Sequence, residues 1–105
     1  MDPRRGLRFK TRFDALYSAG LEHGAGVLSE VSYSGARLEN TSLQPALGTR
    51  VKLYIFVQPV SPFELEGQVA RITDSGFAIH YELFDPKIRR LVDDLCALIA
   101  ASPAA

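Results

Sequence analysis

Apolar and polar residues alternate along most of the first 84 residues, as is typical of half-buried β-strands. The clearest run is residues 50 to 57, where one face carries Val51, Leu53, Ile55 and Val57. The alternation predicts six strands, over residues 9–17, 26–31, 36–39, 50–57, 63–73 and 77–83.

Glycine and proline mark the breaks between these strands. Residues 18–26 hold three glycines and predict a turn. Residues 40–48 are polar and contain a proline and a glycine, which predicts a loop. Gly67 lies inside a predicted strand and indicates a bulge or a bend of the barrel.

The hydrophobic period changes near residue 85, from two residues to the spacing of a helix. Asp85 is a favourable N-cap and Pro86 a favourable first helical residue, so we predict a helix over residues 86–101. Its apolar stripe consists of Ile88, Leu91, Val92, Leu95, Leu98 and Ile99. Cys96 borders this stripe and is expected to be half-buried.

Six short strands followed by one amphipathic helix predict an all-β fold, a six-stranded antiparallel barrel that is closed or nearly closed. The helix is expected to cover the mouth or the side of that barrel. We assign residues 1–105 to a single domain, with a flexible basic arm at 1–8, the barrel at 9–84 and the helix at 86–101.

The composition narrows the class of protein further. An apolar fraction of 47% in 105 residues is ordinary for one globular domain. No apolar run approaches the length that spans a bilayer, and the basic N-terminus lacks the apolar segment of a secretory signal. A single cysteine excludes an internal disulfide. These features predict a cytoplasmic protein that does not insert into a membrane.

The charge is unevenly distributed although the net charge is zero. Residues 1–12 carry five bases and one acid, whereas the remainder carries seven bases and eleven acids. A neutral chain without a basic, aromatic sheet face argues against binding of a nucleic acid polymer. A local basic arm suits a small anionic ligand.

Two short motifs occur in a fixed order around the first predicted strand. Arg4 and Arg8 stand four residues apart, and E-V-S-Y-S-G follows at residues 30–35. Together they resemble the two-part signature of the PilZ domain family, R-x-x-x-R and then [D/N]-x-S-x-x-G. Arg8 and Arg12 have the same spacing, but that choice would place Arg12 inside the strand, so we favour Arg4 and Arg8. Glu30 departs from the family pattern, which has Asp or Asn there.

The resemblance implies a receptor for the bacterial second messenger cyclic di-GMP, built as a six-stranded barrel with a C-terminal helix. It implies no catalytic residues and no cofactor. Carried over position by position, the expected ligand-binding residues are Arg4, Arg5, Arg8, Glu30, Ser32 and Gly35. The output would pass through a separate protein partner.

Each of these residue types suits the ligand. A guanidinium fork matches a phosphate or the O6 and N7 acceptors of guanine. The family's acidic or amide residue accepts hydrogen bonds from the N1–H and N2–H edge of guanine, which Glu30 can also do. Its extra methylene moves the oxygens outward by roughly one C–C bond, so we expect binding to be weakened about ten- to hundredfold. Gly35 permits a positive φ and is expected to let the backbone approach the ligand closely.

Two other interpretations remain open at the level of sequence. A degenerate PilZ adaptor would act without nucleotide, by protein contacts in motility or surface-polysaccharide control. Tyr54 and Phe56 lie on the face opposite the apolar face of their strand, where they form either a second packed face, which we favour, or a partner-binding surface. The spacings of His23, His80 and Cys96 fit no zinc motif, so we expect no metal site.

Overall fold

The computed structural model describes residues 8–57, 63–81 and 86–101. These residues form six strands and one helix. The elements are β1 (Arg8–Ala19), β2 (Glu22–Ser32), β3 (Gly35–Glu39), β4 (Arg50–Ile55), β5 (Phe63–Ile72), β6 (Phe77–Tyr81) and α1 (Pro86–Ala101). The predicted helix matches its observed bounds, whereas its proposed cap, Asp85, lies outside the described residues.

The strands close into a barrel in the order β1-β2-β3-β6-β5-β4, and β4 pairs with β1 to complete it. Every neighbouring pair is antiparallel. Closure leaves the sheet without a free edge, because the strand at each end of the order pairs with the other. The predicted six-stranded antiparallel barrel with a C-terminal helix is therefore confirmed.

The inward-facing side chains fill the barrel as the alternation predicts. On β4, Val51, Leu53 and Ile55 are completely buried, and each is separated from the next by a residue that is exposed or half-buried. Inside the barrel the ring of Tyr17 meets that of Phe77 edge-on, with centroids 5.1 Å apart.

Helix α1 packs against β5 and β1 through an apolar face. The buried members of that face are Ile88, Val92, Leu95 and Cys96, and the partly buried ones are Leu91, Leu98 and Ile99. Cys96 is completely buried rather than half-buried. Its position, four residues after Val92 and eight after Ile88, places it next to these two buried residues on the side of the helix that faces the barrel.

The turn predicted at residues 18–26 occurs, but its extent was wrong, because β1 and β2 continue through most of that segment. Only Gly20 and Leu21 lie between the two strands, and Gly20 has a positive φ of 65°. Gly24 is a strand residue, and a Cβ atom there would collide with the ring of Tyr17. This glycine therefore makes room for a core side chain and does not mark a chain reversal.

The bulge predicted at Gly67 is also misplaced. Gly67 pairs in continuous register with Val51 on one side and with Tyr81 on the other. A Cβ atom there would collide with the carbonyl oxygen of His80, so the glycine permits close approach of the neighbouring strand. The register shifts on β5 between Val69 and Arg71.

Candidate ligand-binding cleft

A cleft of about 430 Å³ lies on the outer surface of the barrel. This volume falls within the range of about 300–1,000 Å³ that is typical of small-molecule sites. The lining consists of Arg8, Glu30, Ser32, Ser34, Gly35, Ala36, Arg37, Ala70, Arg71, Ala78, Ile79 and His80. Among these side chains three arginines face one glutamate, so the cleft favours an anionic ligand.

The floor of the cleft is made of small residues. Gly35, Ala70 and Ala78 present no long side chain, so a flat group can approach the strands closely. Gly35 does not use the positive φ that a glycine permits; among the described glycines only Gly20 and Gly48 have one. A Cβ atom at Gly35 would collide with the carbonyl oxygen of Ile79, so close approach of β3 and β6 requires the glycine.

The hydroxyl of Ser32 organises the turn between β2 and β3. It accepts hydrogen bonds from the backbone N–H groups of Ser34 and Gly35, each at 3.2 Å. The same oxygen lies 3.2 Å from Oγ of Ser34 and 3.3 Å from the carbonyl oxygen of Gly35. Ser32 therefore fixes the shape of the turn that borders the cleft, as serine side chains commonly do in turns.

Arg8 and Glu30 meet across the first two strands. The Arg8 Nη1 atom lies 3.4 Å from Glu30 Oε1, with the Arg8 side chain 71% exposed and that of Glu30 27% exposed. The pairing of Arg8 with Ser32 and of Lys10 with Glu30 holds these residues in register. The two halves of the sequence motif thus meet at one end of the cleft.

An irregularity in β2 makes Glu30 face outward. Leu28 pairs with Leu38 and Glu30 pairs with Arg37, so Ser29 is an extra residue relative to β3. Without the extra residue, the alternation that buries Leu28 would also direct Glu30 toward the core. Bulges commonly redirect a side chain next to a functional site, and this one exposes the carboxylate to the cleft.

The cleft residues outside the motif include two arginines and a histidine, namely Arg37, Arg71 and His80. Simple alternation in β3 and β6 already places Arg37 and His80 on the outer face, so the sequence pattern could have identified them. Arg71 follows two positions after the buried Val69, and alternation alone would have turned it inward. Its position depends on a bulge that the sequence does not signal.

The remaining predicted ligand residues lie at the start of the chain. Arg4 and Arg5 are outside the described residues. Arg8 begins β1, one residue earlier than the predicted start of the barrel. Arg12 lies further along the same strand and does not line the cleft, whereas Arg8 does, which favours the choice of Arg4 and Arg8 for the motif.

The other candidate residues lie apart from the cleft or are not assembled into a site. His23 is exposed on β2, and Cys96 is buried on the face of α1 that packs against the barrel. In the described part of the chain, no group of three or more histidines, cysteines or acidic residues is placed to hold a metal ion. Over the same ranges, none of the helices has the length and apolar character to cross a bilayer.

Tyr54 and Phe56 lie on the outer face around β1 and β4, away from the cleft lining. Tyr54 is half-buried and pairs with Leu16, which is 49% exposed. Phe56 is 37% exposed, so the favoured expectation of a second packed face does not hold for this ring. We call Leu16, Tyr54 and Phe56 the apolar outer patch.

Known proteins with this architecture include the PilZ domain of CeSA from a cellulose-synthesising bacterium, which superposes with a TM-score of 0.78. The match has 13% sequence identity and covers 90% of this chain and 99% of that one. The Bacillus subtilis inhibitor of motility (MotI/DgrA) matches with a TM-score of 0.68 and 16% identity, over 93% of this chain and 51% of that one. An uncharacterised Legionella protein matches with a TM-score of 0.57 and 20% identity, over 88% and 92% of the two chains. These identities establish the shared fold and no more.

Sequence comparison identifies the family directly. No curated protein sequence is significantly similar to this chain. The family model described as "PilZ domain" matches residues 2–98, which include both sequence motifs, all six strands and most of α1. The chain therefore belongs to the PilZ domain family, a family of cyclic di-GMP receptor and adaptor domains rather than enzymes.

Proposed function

We propose that this chain binds cyclic di-GMP in the cleft, with weakened affinity, and relays binding to a protein partner in the cytoplasm. The observation that carries the proposal is the meeting of both motif halves at one cleft. Arg8 from β1 lies 3.4 Å from Glu30 on β2, beside the turn that Ser32 holds. Arg4 and Arg5 precede Arg8 closely enough in sequence to reach the same end of the cleft.

The chemistry of the cleft matches the chemistry of the ligand. Cyclic di-GMP carries two phosphates and two guanines. The arginine forks can donate paired hydrogen bonds to a phosphate or to the O6 and N7 acceptors of guanine. The Glu30 carboxylate accepts from the donor edge of guanine, and the small floor residues leave room for a flat base.

Glu30 weakens the binding of cyclic di-GMP in the cleft but does not prevent it. The Arg8–Glu30 pair has to loosen before both side chains can contact the ligand, but exposed ion pairs contribute only about 0–1 kcal/mol. The larger cost comes from the added methylene, which misplaces the oxygens relative to those of Asp. One or two imperfect hydrogen bonds then account for a loss of about ten- to hundredfold in affinity.

The first prediction concerns the two motif residues. Glu30→Asp should tighten cyclic di-GMP binding by about ten- to hundredfold, because it restores the acceptor length of the family. Arg8→Ala should weaken or abolish binding of cyclic di-GMP, because it removes a guanidinium group from the cleft. Calorimetric titration of the two variants and the unchanged protein measures both effects, with opposite signs.

A matched control removes one positive charge elsewhere. Arg90 is exposed on α1 and does not line the cleft, so Arg90→Gln should leave the affinity unchanged. Absence of binding by the unchanged protein and by Glu30→Asp at high ligand concentration would refute the receptor function.

A second candidate function is a nucleotide-independent adaptor. The apolar outer patch favours it, because exposed aromatic and aliphatic side chains are enriched where proteins meet. Control of motility or of surface polysaccharide is the corresponding output. Absence of nucleotide binding, together with a partner whose capture is lost in Phe56→Ser and retained in Arg8→Ala, would establish the adaptor.

A further inference from the structure

Arg71 is the cleft arginine that pairs with no carboxylate among the described residues. Arg8 pairs with Glu30, and Arg37 Nε lies 3.8 Å from Glu39 Oε1. Within residues 8–57, 63–81 and 86–101, Arg71 has neither an ion-pair nor a hydrogen-bond partner. It therefore offers its full set of donors to a ligand.

The bulge in β5 is what directs Arg71 into the cleft. Val69 pairs with Ile79 and Arg71 pairs with Ala78, so Ala70 is an extra residue relative to β6. A regular register would place Arg71 opposite Phe77, which is completely buried. The bulge therefore moves a guanidinium from a core position, where burial of its charge would be costly, to the outer surface.

Arg71 and Arg37 flank a single small residue. Ala78 on β6 pairs with Arg37 on β3 and with Arg71 on β5. The two arginines thus start about 10 Å apart, two strand spacings, with only a methyl group between them. Long guanidinium side chains can converge from both sides on an anion that sits above Ala78.

We infer that Arg71, together with Arg37, forms a second cationic wall of the cleft that binds a phosphate of the ligand on the side away from Arg8. The inference rests on the proposed function, since it assigns one phosphate of cyclic di-GMP to this wall. A ligand with two phosphates can then engage both ends of the cleft, Arg8 at one end and Arg71 at the other. The contact with Arg71 recovers part of the ligand affinity that is lost because Glu30 stands where the family has Asp or Asn.

Three variants and one measurement test the assignment. Calorimetric titration with cyclic di-GMP should show binding at least about tenfold weaker for Arg71→Ala, because a charge-assisted contact is lost. Arg71→Lys should recover most of that loss, because a phosphate accepts hydrogen bonds from an ammonium as well as from a guanidinium. Arg90→Gln should bind like the unchanged protein.

Thermal melting accompanies each titration, and Arg71→Gln serves as a second neutral variant. Arg71 is exposed, so melting temperatures should not change. If Arg71→Ala binds normally while Arg8→Ala does not, the second wall is refuted and the receptor function stands. If Arg71→Lys is as weak as Arg71→Ala, the phosphate assignment is refuted. If the unchanged protein does not bind, the receptor function and the wall are refuted together.

Discussion

At the scale of single residues, the cleft depends on side chains whose direction is set by backbone irregularities. Glu30 and Arg71 each follow an extra residue in a strand, and both face the cleft for that reason. Regular strands would have directed these two charges toward the core. The two bulges that make the strands irregular therefore direct these charged groups into the candidate site.

Sequence reasoning succeeded where alternation is regular and failed where it is interrupted. Val51, Leu53 and Ile55 were predicted to share one apolar face, and all three are completely buried. Gly35 was expected to let the backbone approach the ligand; in the structure it lets the backbone of Ile79 approach, without a positive φ. Arg71 was missed because the bulge depends on how β5 pairs with β6, which the alternation along β5 alone does not record.

Tyr81 carries a buried hydroxyl that makes stability depend on pH. Burial, and then the neighbouring Cys96, raises the pKa of the Tyr81 phenol well above its ordinary value of 10.0. Among the described residues, its Oη atom has no hydrogen-bond partner. The unfolded chain therefore loses this proton first, and the free energy of unfolding falls as pH rises above about 10.

We expect Tyr81→Phe to remove this alkaline loss, which approaches about 1.4 kcal/mol per pH unit for one proton. At neutral pH the variant should be as stable as the unchanged protein or more stable by up to about 1 kcal/mol, because an unsatisfied hydroxyl is removed. Denaturant unfolding between pH 7 and 11 measures the difference. Tyr54→Phe, on the outer face, is the control, and parallel curves for all three proteins would contradict the prediction.

At the scale of elements, the β1–β2 hairpin shows why composition misled the sequence prediction. Residues 18–26 hold three glycines, yet only Gly20 serves a turn. Gly24 has no side chain and leaves space for the ring of Tyr17. The Tyr17 hydroxyl donates a hydrogen bond to the carbonyl oxygen of Leu43 and accepts one from the Leu43 N–H. The strand glycine therefore allows a core tyrosine to hold a distant loop, a long-range relation that local turn rules do not include.

Helix α1 packs on the barrel through an apolar stripe. The helical spacing of apolar residues in the sequence predicted almost every residue of that stripe. We expect Leu95→Asp to destabilise the protein severely, by several kcal/mol, because the side chain is completely buried and the introduced charge would lack a partner. Ala97→Asp, two residues away and exposed, introduces the same charge without burial and should change stability by under about 1 kcal/mol. Thermal melting of both variants tests the docking face, and equal melting temperatures would contradict it.

At the scale of the whole molecule, the cleft is formed jointly by most strands of the barrel. The cleft residues come from five of the six strands, β1, β2, β3, β5 and β6. The consecutive strands β1, β2 and β3 meet the β5–β6 hairpin at the cleft through the pairing of β3 with β6, which are far apart in the sequence. The sequence predicted the number of strands and their order along the chain, but their order around the barrel emerges only from the pairing of distant segments.

A ligand that bridges these strands should stabilise the folded barrel. Cyclic di-GMP at about ten times its dissociation constant should add roughly 1.4 kcal/mol to the free energy of unfolding, if the unfolded chain does not bind it. In a domain of this size, such a gain raises the melting temperature by roughly 5–10 °C. Arg8→Ala should show little or no shift at the same ligand concentration, whereas Arg90→Gln should shift like the unchanged protein. Calorimetric saturation without any rise in melting temperature would show that binding does not depend on the closed barrel, and would contradict a site shared among its strands.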